Sequence, residues 1–209
     1  MIPHKLVSDW MTFIRENPNH AHRFSECFYP SQMISKHYAL DLLQEHMGNW
    51  GEIYERQIFV FGGWYGVFAQ LLTHRFRAIK VYNIDVDPEC EKVFNLLPVD
   101  NRENIEHITA DMAKFEYHVT PDFVINTSTE HVTQETYDAW WNNVPKGTKY
   151  LIQSNNFFES DEHIRCANSL DEFVEMNNIQ SANYKSSVEV GERPDGSTFF
   201  RFMALGVKE

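Results

Sequence analysis

The sequence predicts an α/β fold. A mostly parallel seven-stranded sheet lies at the centre of a three-layer sandwich, with an antiparallel C-terminal hairpin strand and a helical segment in front. Three observations carry that prediction. Residues 58–61, Ile-Phe-Val-Phe, form a short apolar run that ends in Gly62-Gly63, the pattern of a strand buried on both faces. From residue 57 onward, strand-like and helix-like stretches alternate five times, as parallel strands with crossovers require. Residues 192–197 carry Pro-Asp-Gly between two strand-like stretches, which is hairpin chemistry.

Taken in order, residues 1–50 read as a helical extension or lid, and 51–209 as the main domain. Leu6, Trp10, Phe13 and Ile14 recur at helical spacing, with Pro18 just past the run. Residues 17–30 read as irregular. Ser31 is expected to cap a second helix with Met33, Ile34, Tyr38, Leu42 and Leu43 on its apolar face, closed by Gly48. Strands are expected at 58–61, 78–84, 105–109, 123–125 and 150–153, then at 182–189 and 198–207. Helices are expected at 64–74 and from Pro88 to about residue 96, since proline suits a first turn. Thr133 should cap a helix through Trp141, and Ser169-Leu-Asp-Glu172 is a capping box. In such a sheet the ligand sits beyond the carboxyl ends of the strands, near the switch in strand order. That rule gathers 62–66, 85–87, 110–112, 126–131 and 154–160 around one crevice.

Composition excludes several function classes. The chain has 209 residues and a formal net charge of −12, from 30 acidic and 18 basic side chains. Without a run of Lys or Arg, a nucleic-acid backbone is not expected as the main partner. No apolar run reaches membrane-spanning length, and Met-Ile-Pro-His-Lys is too polar for a signal peptide. Three widely spaced cysteines suggest reduced thiols and a cytoplasmic setting.

With these elements in place, residues 56–209 resemble a class I S-adenosylmethionine-dependent methyltransferase, a Rossmann-like family. In that family the first strand ends in an acid followed by three alternating glycines. Here Gly62 and Gly66 match the first and third glycines, Gly63 fills a variable slot, Trp64 replaces the second, and Val60 replaces the acid. The loop is therefore deviant at the end that would hold the cofactor's methionine. Asp85, ending the second strand, matches the acid that accepts from both ribose hydroxyls, since a carboxylate only accepts. Asp87 is the alternative, or a helix cap. Asp111 and Met112, after the third strand, match the adenine-binding position. Asn126, at the end of the fourth, is placed as a cofactor or substrate contact.

Chemistry is expected at Glu130 and His131. His131 has the range of a general base, and Glu130 can orient it or bind a substrate amine; the plain alternative is that Ser128 to Glu130 only cap the next helix. Tyr29, Ser31, Gln32 and Lys36 are candidates for the lid. Asp161, Glu162 and His163 read as a solvated loop, and His20, His22, Glu26 and Cys27 fit no zinc spacing, so no metal is expected. The reading is methyl transfer from S-adenosylmethionine to a small molecule. Two alternatives remain open. One is the same fold with other sulfonium chemistry, either aminocarboxypropyl or propylamine transfer or cofactor cleavage. The other is a non-catalytic binding domain.

Overall fold

The computed structural model describes residues 2–46, 56–76, 79–100 and 102–209. The expected helix stop at Gly48, the domain boundary at 50/51 and the first strand-two residue, Ala78, lie outside the described residues.

Three helices lead the chain: α1 (His4–Glu16), α2 (Pro18–Ser25) and α3 (Pro30–His46). Leu6, Trp10 and Phe13 form the buried stripe of α1. The stretch expected to be irregular contains α2, because Pro18 both ends one helix and opens the next. Its fixed φ suits a first helical turn, and its missing N–H is not needed there. Pro30 opens α3 likewise, so Ser31 lies inside that helix and does not cap it.

The strands are β1 (Arg56–Phe61), β2 (Ile79–Asp85), β3 (Ile105–Thr109), β4 (Phe123–Asn126), β5 (Lys149–Asn155), β6 (Tyr184–Glu192) and β7 (Thr198–Val207). Between them run α4 (Val67–Arg75), α5 (Pro88–Leu96), α6 (Gln134–Asn143) and α7 (Leu170–Met176). Strand order is β3-β2-β1-β4-β5-β7-β6, with β1 to β5 parallel and β7 antiparallel to both neighbours. The order reverses between β1 and β4, so the crevice opens beyond their carboxyl ends. The antiparallel strand has a functional consequence. Its register pairs Arg201 with Asn155, which brings the first half of β7 to the carboxyl edge of the parallel strands.

Side-chain alternation along β1 builds both interior layers. Ile58 and Val60 join the cluster that contains Leu6, Trp10, Leu43, Leu72 and Phe94. Phe59 and Phe61 join the cluster of Tyr137, Trp140 and Phe173. Both Trp140 and Trp141 are buried. Burying a side chain of this size stabilises by roughly 1.5–3 kcal/mol, so β1, with four such residues, is the axis of the fold.

Local caps follow the sequence. Thr133 accepts from Thr136 N–H, and Ser169 accepts from Glu172 N–H. The capping box is only half reciprocal, since the Glu172 carboxylate reaches Asn168 N–H. The expected helix at 64–74 starts only at Val67, because Gly62, Trp64 and Gly66 all have positive φ. No helix among the described residues is long and apolar enough to cross a membrane.

Candidate active site

A cavity of about 1020 Å³ opens at the carboxyl ends of the strands. Its floor is the loop after β1. A Cβ on Gly62 would lie 1.9 Å from Ser128 Oγ, and one on Gly63 would lie 2.0 Å from Asn83 Oδ1, so neither position has room for a side chain. Trp64 follows at φ 48°, a conformation that costs an L-residue about 1–2 kcal/mol. Three contacts hold it there. Its N–H donates to Asp85 Oδ2 at 2.9 Å, its carbonyl accepts from Asn83 Nδ2 at 3.1 Å, and its ring stacks on Tyr65 at 4.9 Å. The Arg23 guanidinium of α2 lies 6.0 Å from the indole. Trp64 thus adopts the left-handed backbone conformation that glycine favours.

Asp85 lines the cavity, and each carboxylate oxygen accepts one backbone N–H: Oδ2 from Trp64, Oδ1 from Asp87 at 3.1 Å. Further lone pairs remain on both oxygens for a ligand diol. Asp87 is otherwise employed. It caps α5 by accepting from Glu89 N–H and pairs with Arg23 at 2.7 Å, and these contacts hold its carboxyl below the usual carboxylate range. Asp111 and Met112 line the cavity with Ala110, and Asp111 Oδ1 accepts from Ala113 N–H at 3.0 Å.

Two expected site residues do not reach the cavity wall. Asn126 is fully buried; its Oδ1 accepts from Ser128 N–H and its Nδ2 donates to Met112 Sδ at 3.6 Å. It braces the turn after β4. Gly66 packs against Phe94, where a Cβ would meet the ring at 2.8 Å.

The opposite wall carries the charged groups. Glu130 is 1% exposed, and its Oε1 accepts from Asn155 Nδ2 at 2.6 Å and from Arg201 Nη1. Burial pushes the Glu130 carboxyl up, but Arg201 and the imidazoles of His131 and His163 outweigh it, leaving the group below its ordinary range. Glu130 is therefore neither a helix cap nor hydrogen-bonded to His131. The His131 Nδ1 instead lies 3.2 Å from the Glu162 carbonyl. Its ring meets that of His163 edge-on at 4.8 Å, and His163 Nδ1 lies 2.6 Å from the Phe157 carbonyl. Burial lowers the His163 pKa more than its neighbours raise it.

The four lid candidates, Tyr29, Ser31, Gln32 and Lys36, all line this cavity. The Lys36 Nζ donates to Gln32 Oε1 at 2.8 Å; burial pulls its pKa down to about 8, and Arg201 adds to the effect. Asn156 bonds to the backbone of Thr198 and Phe200, tying β5 to β7, while Phe157 reaches the cavity.

Sequence reasoning places Asn155 only within the crevice segment 154–160, and does not single out Arg201 or His163 as site residues. The signal for Arg201 was present, because a lone arginine inside Thr-Phe-Phe-Arg-Phe-Met-Ala-Leu implies a buried acidic partner. His163 was set aside with its acidic neighbours as a solvated loop, and it is half-buried.

The architecture is the Rossmann-like methyltransferase fold. The N-methyltransferase NodS from Bradyrhizobium japonicum WM9, in complex with S-adenosylhomocysteine, superposes with a TM-score of 0.58 over 95% of this chain and 98% of that one, at 13% identity. Coclaurine N-methyltransferase, bound to N-methylheliamine and S-adenosylhomocysteine, gives 0.61 over 84% of this chain and 71% of that one, at 10% identity. The Haemonchus contortus phosphoethanolamine N-methyltransferase 2 gives 0.56 over 82% of this chain at 10% identity, and the chain spans 53% of that enzyme's length. No protein-family model and no curated protein matches the sequence.

Proposed function

We propose that the protein transfers a methyl group from S-adenosylmethionine to a small-molecule acceptor. The observation that carries this reading is Asp85. It sits at the end of β2, next to the strand-order switch, lines the cavity, and accepts only one backbone N–H on each carboxylate oxygen, which leaves acceptor lone pairs on both. The donor set fits the cofactor at two of its three parts. Asp85 offers acceptors for the ribose hydroxyls, and Asp111 an acceptor for the adenine amine beside the apolar face of Met112. At the methionine end the fit departs from the family, because Val60 supplies no acid and Trp64 lines the wall. The bound cofactor supplies a methyl on a sulfonium, a donor with a neutral leaving group. This chain's residues then align the acceptor, with His131 and the Glu130–Arg201 pair facing the substrate end, and Tyr29 together with Gln32 and Lys36 of α3 closing over it.

The structural neighbours support a small acceptor, since coclaurine N-methyltransferase is named for an alkaloid and the Haemonchus enzyme for phosphoethanolamine. A net charge of −12 argues the same way against nucleic acid, and three buried free cysteines suit a reducing, cytoplasmic setting. Within this reading, residues 1–50 act as the cover of a domain formed by 51–209.

Calorimetry with S-adenosylmethionine, followed by mass spectrometry of turnover products, tests the proposal. S-adenosylhomocysteine as product supports methyl transfer. Methylthioadenosine would instead reveal other sulfonium chemistry, and no binding at millimolar cofactor would leave a non-catalytic domain.

A further inference from the structure

Among the described residues, one group of three potential ligands comes together: Glu130, His131 and His163, with one ligand atom of each within 4.8 Å of the others. All three line the cavity on its substrate side. We propose that they hold one divalent first-row transition-metal ion, whose open coordination positions face the cavity and take an oxygen or nitrogen donor of the acceptor. The ion site stands on its own geometry; the role of its open positions rests on the transferase reading.

The imidazoles are set up as ligands. Each Nδ1 lies against a backbone carbonyl, His131 against Glu162 at 3.2 Å and His163 against Phe157 at 2.6 Å. A carbonyl only accepts, so each Nδ1 carries the proton and each Nε2 keeps its lone pair. Metal-binding histidines are held in this way, the second nitrogen fixing tautomer and ring plane.

The carboxylate is asymmetric in a way that an ion would explain. Oε1 of Glu130 accepts from both Asn155 and Arg201, while Oε2 is buried and has no partner. A buried carboxylate oxygen left bare is costly, and a cation bound there would satisfy it. Arg201 and Asn155 then act as outer partners that orient the ligand.

Two imidazoles and one carboxylate form a set that leaves coordination positions open. Imidazole suits zinc, iron, cobalt or nickel, whereas magnesium and calcium take oxygen ligands. Because Arg201 already neutralises Glu130 from the far side, a site of this kind favours the softer ions. Two donors at tetrahedral angles about a zinc ion stand about 3.3 Å apart, given bonds of roughly 2.0–2.1 Å. Closing from 4.8 Å requires movement mainly of His131, whose side chain is exposed.

The test uses the full chain stripped with chelator and titrated with Co²⁺, read by visible d–d absorption and by calorimetry. One equivalent should bind, with new visible d–d bands from Co²⁺ held by the two histidines and the carboxylate. His131→Ala and His163→Ala should each weaken binding by about 100-fold, at the upper end of what even outer-shell changes cost. Circular dichroism should be unchanged, and excess Mg²⁺ should not displace Co²⁺. Absence of stoichiometric binding, or variants that bind like the parent, would overturn the ion site. S-adenosylmethionine affinity is measured on the same metal-free sample. Cofactor binding without Co²⁺ binding removes the ion site alone, whereas Co²⁺ binding without cofactor binding removes the transferase reading alone.

Discussion

Arg201 of β7 and Glu130 of the loop after β4 form an ion pair across 71 residues of sequence, with side chains only 5% and 1% exposed. The antiparallel strand is what makes the pair, since the β5–β7 register sets Arg201 beside Asn155, which binds the same carboxylate. Removing one partner strands a buried charge, which costs about 3–5 kcal/mol. Arg201→Met should therefore lower unfolding free energy by that amount in urea titrations, while Arg201→Met with Glu130→Gln should recover most of it. A double variant as unstable as the single one would contradict this account. The pH dependence has a fixed sign. Glu130 has a folded pKa below its ordinary 4.5, so its contribution is present above that value and is lost as pH falls through the folded pKa. In Arg201→Met the carboxyl is raised instead, so the variant's deficit should shrink on acidification.

Trp64 predicts an inverted order of substitutions. Glycine normally destabilises relative to alanine, but at φ 48° it relieves strain worth about 1–2 kcal/mol. Both Trp64→Gly and Trp64→Ala lose the stacking on Tyr65, worth about 0.5–1.5 kcal/mol. Only glycine gains the backbone relief. Trp64→Gly should thus exceed Trp64→Ala in stability by about 1 kcal/mol in chemical denaturation. Alanine equal to glycine there would mean that the turn relaxes when the indole is removed.

Lys36 titrates within an accessible window. Burial lowers its pKa from 10.5 to about 8, so the unfolded chain binds more protons between those values. Stability therefore rises with pH over that interval, through this group. Lys36→Met should flatten the rise and should stabilise the protein at pH 7, because a partly desolvated cation on the cavity wall, bonded to Gln32, is replaced by an apolar chain of similar length. Denaturation midpoints at pH 7, 8, 9 and 10 would show it; parallel pH profiles for parent and variant would refute the desolvated cation.

Strand ends and the turns that follow them were legible in the sequence, and long-range pairing was not. Gly62, Asp85 and Asp111 line the cavity, a placement readable from sequence because each sits where a strand-like run meets a turn, a pattern contained in a few residues. The same locality misled at Asn126, where a strand-end amide faces inward to Met112 and Ser128. Helix α2 is hidden in the sequence because a proline just past an apolar run reads as a stop, although the same ring geometry also starts helices. The Glu130 environment was out of reach for a different reason. Its partners come from residues 155 and 201, and only the β5–β7 register brings them together. His163 likewise meets His131 because Ile164 and Arg165 N–H groups both donate to the Glu130 carbonyl, folding that loop over the site.

Asp85 braces the glycine loop, and the proposed function gives it a second task as a ligand acceptor, so a test of that role has to separate the two. Its carboxylate braces the loop through Trp64 and Asp87 N–H, and under the proposed function its remaining lone pairs accept from the ribose. Asp85→Ala should weaken S-adenosylhomocysteine binding by about 1.5–3 kcal/mol, the scale of a hydrogen bond to a charged group. Loss of the brace alone could produce a similar number, so the substitution is paired with a change in the ligand. In the parent, the 2′-deoxy analogue should bind more weakly than S-adenosylhomocysteine, because a hydroxyl that donates to Asp85 is missing. In Asp85→Ala the two ligands should bind alike, since the acceptor is gone. The coupling between the two changes isolates the direct contact from the rearranged loop. A deoxy penalty that survives intact in Asp85→Ala would assign the ribose to another residue and leave Asp85 as the brace of the loop.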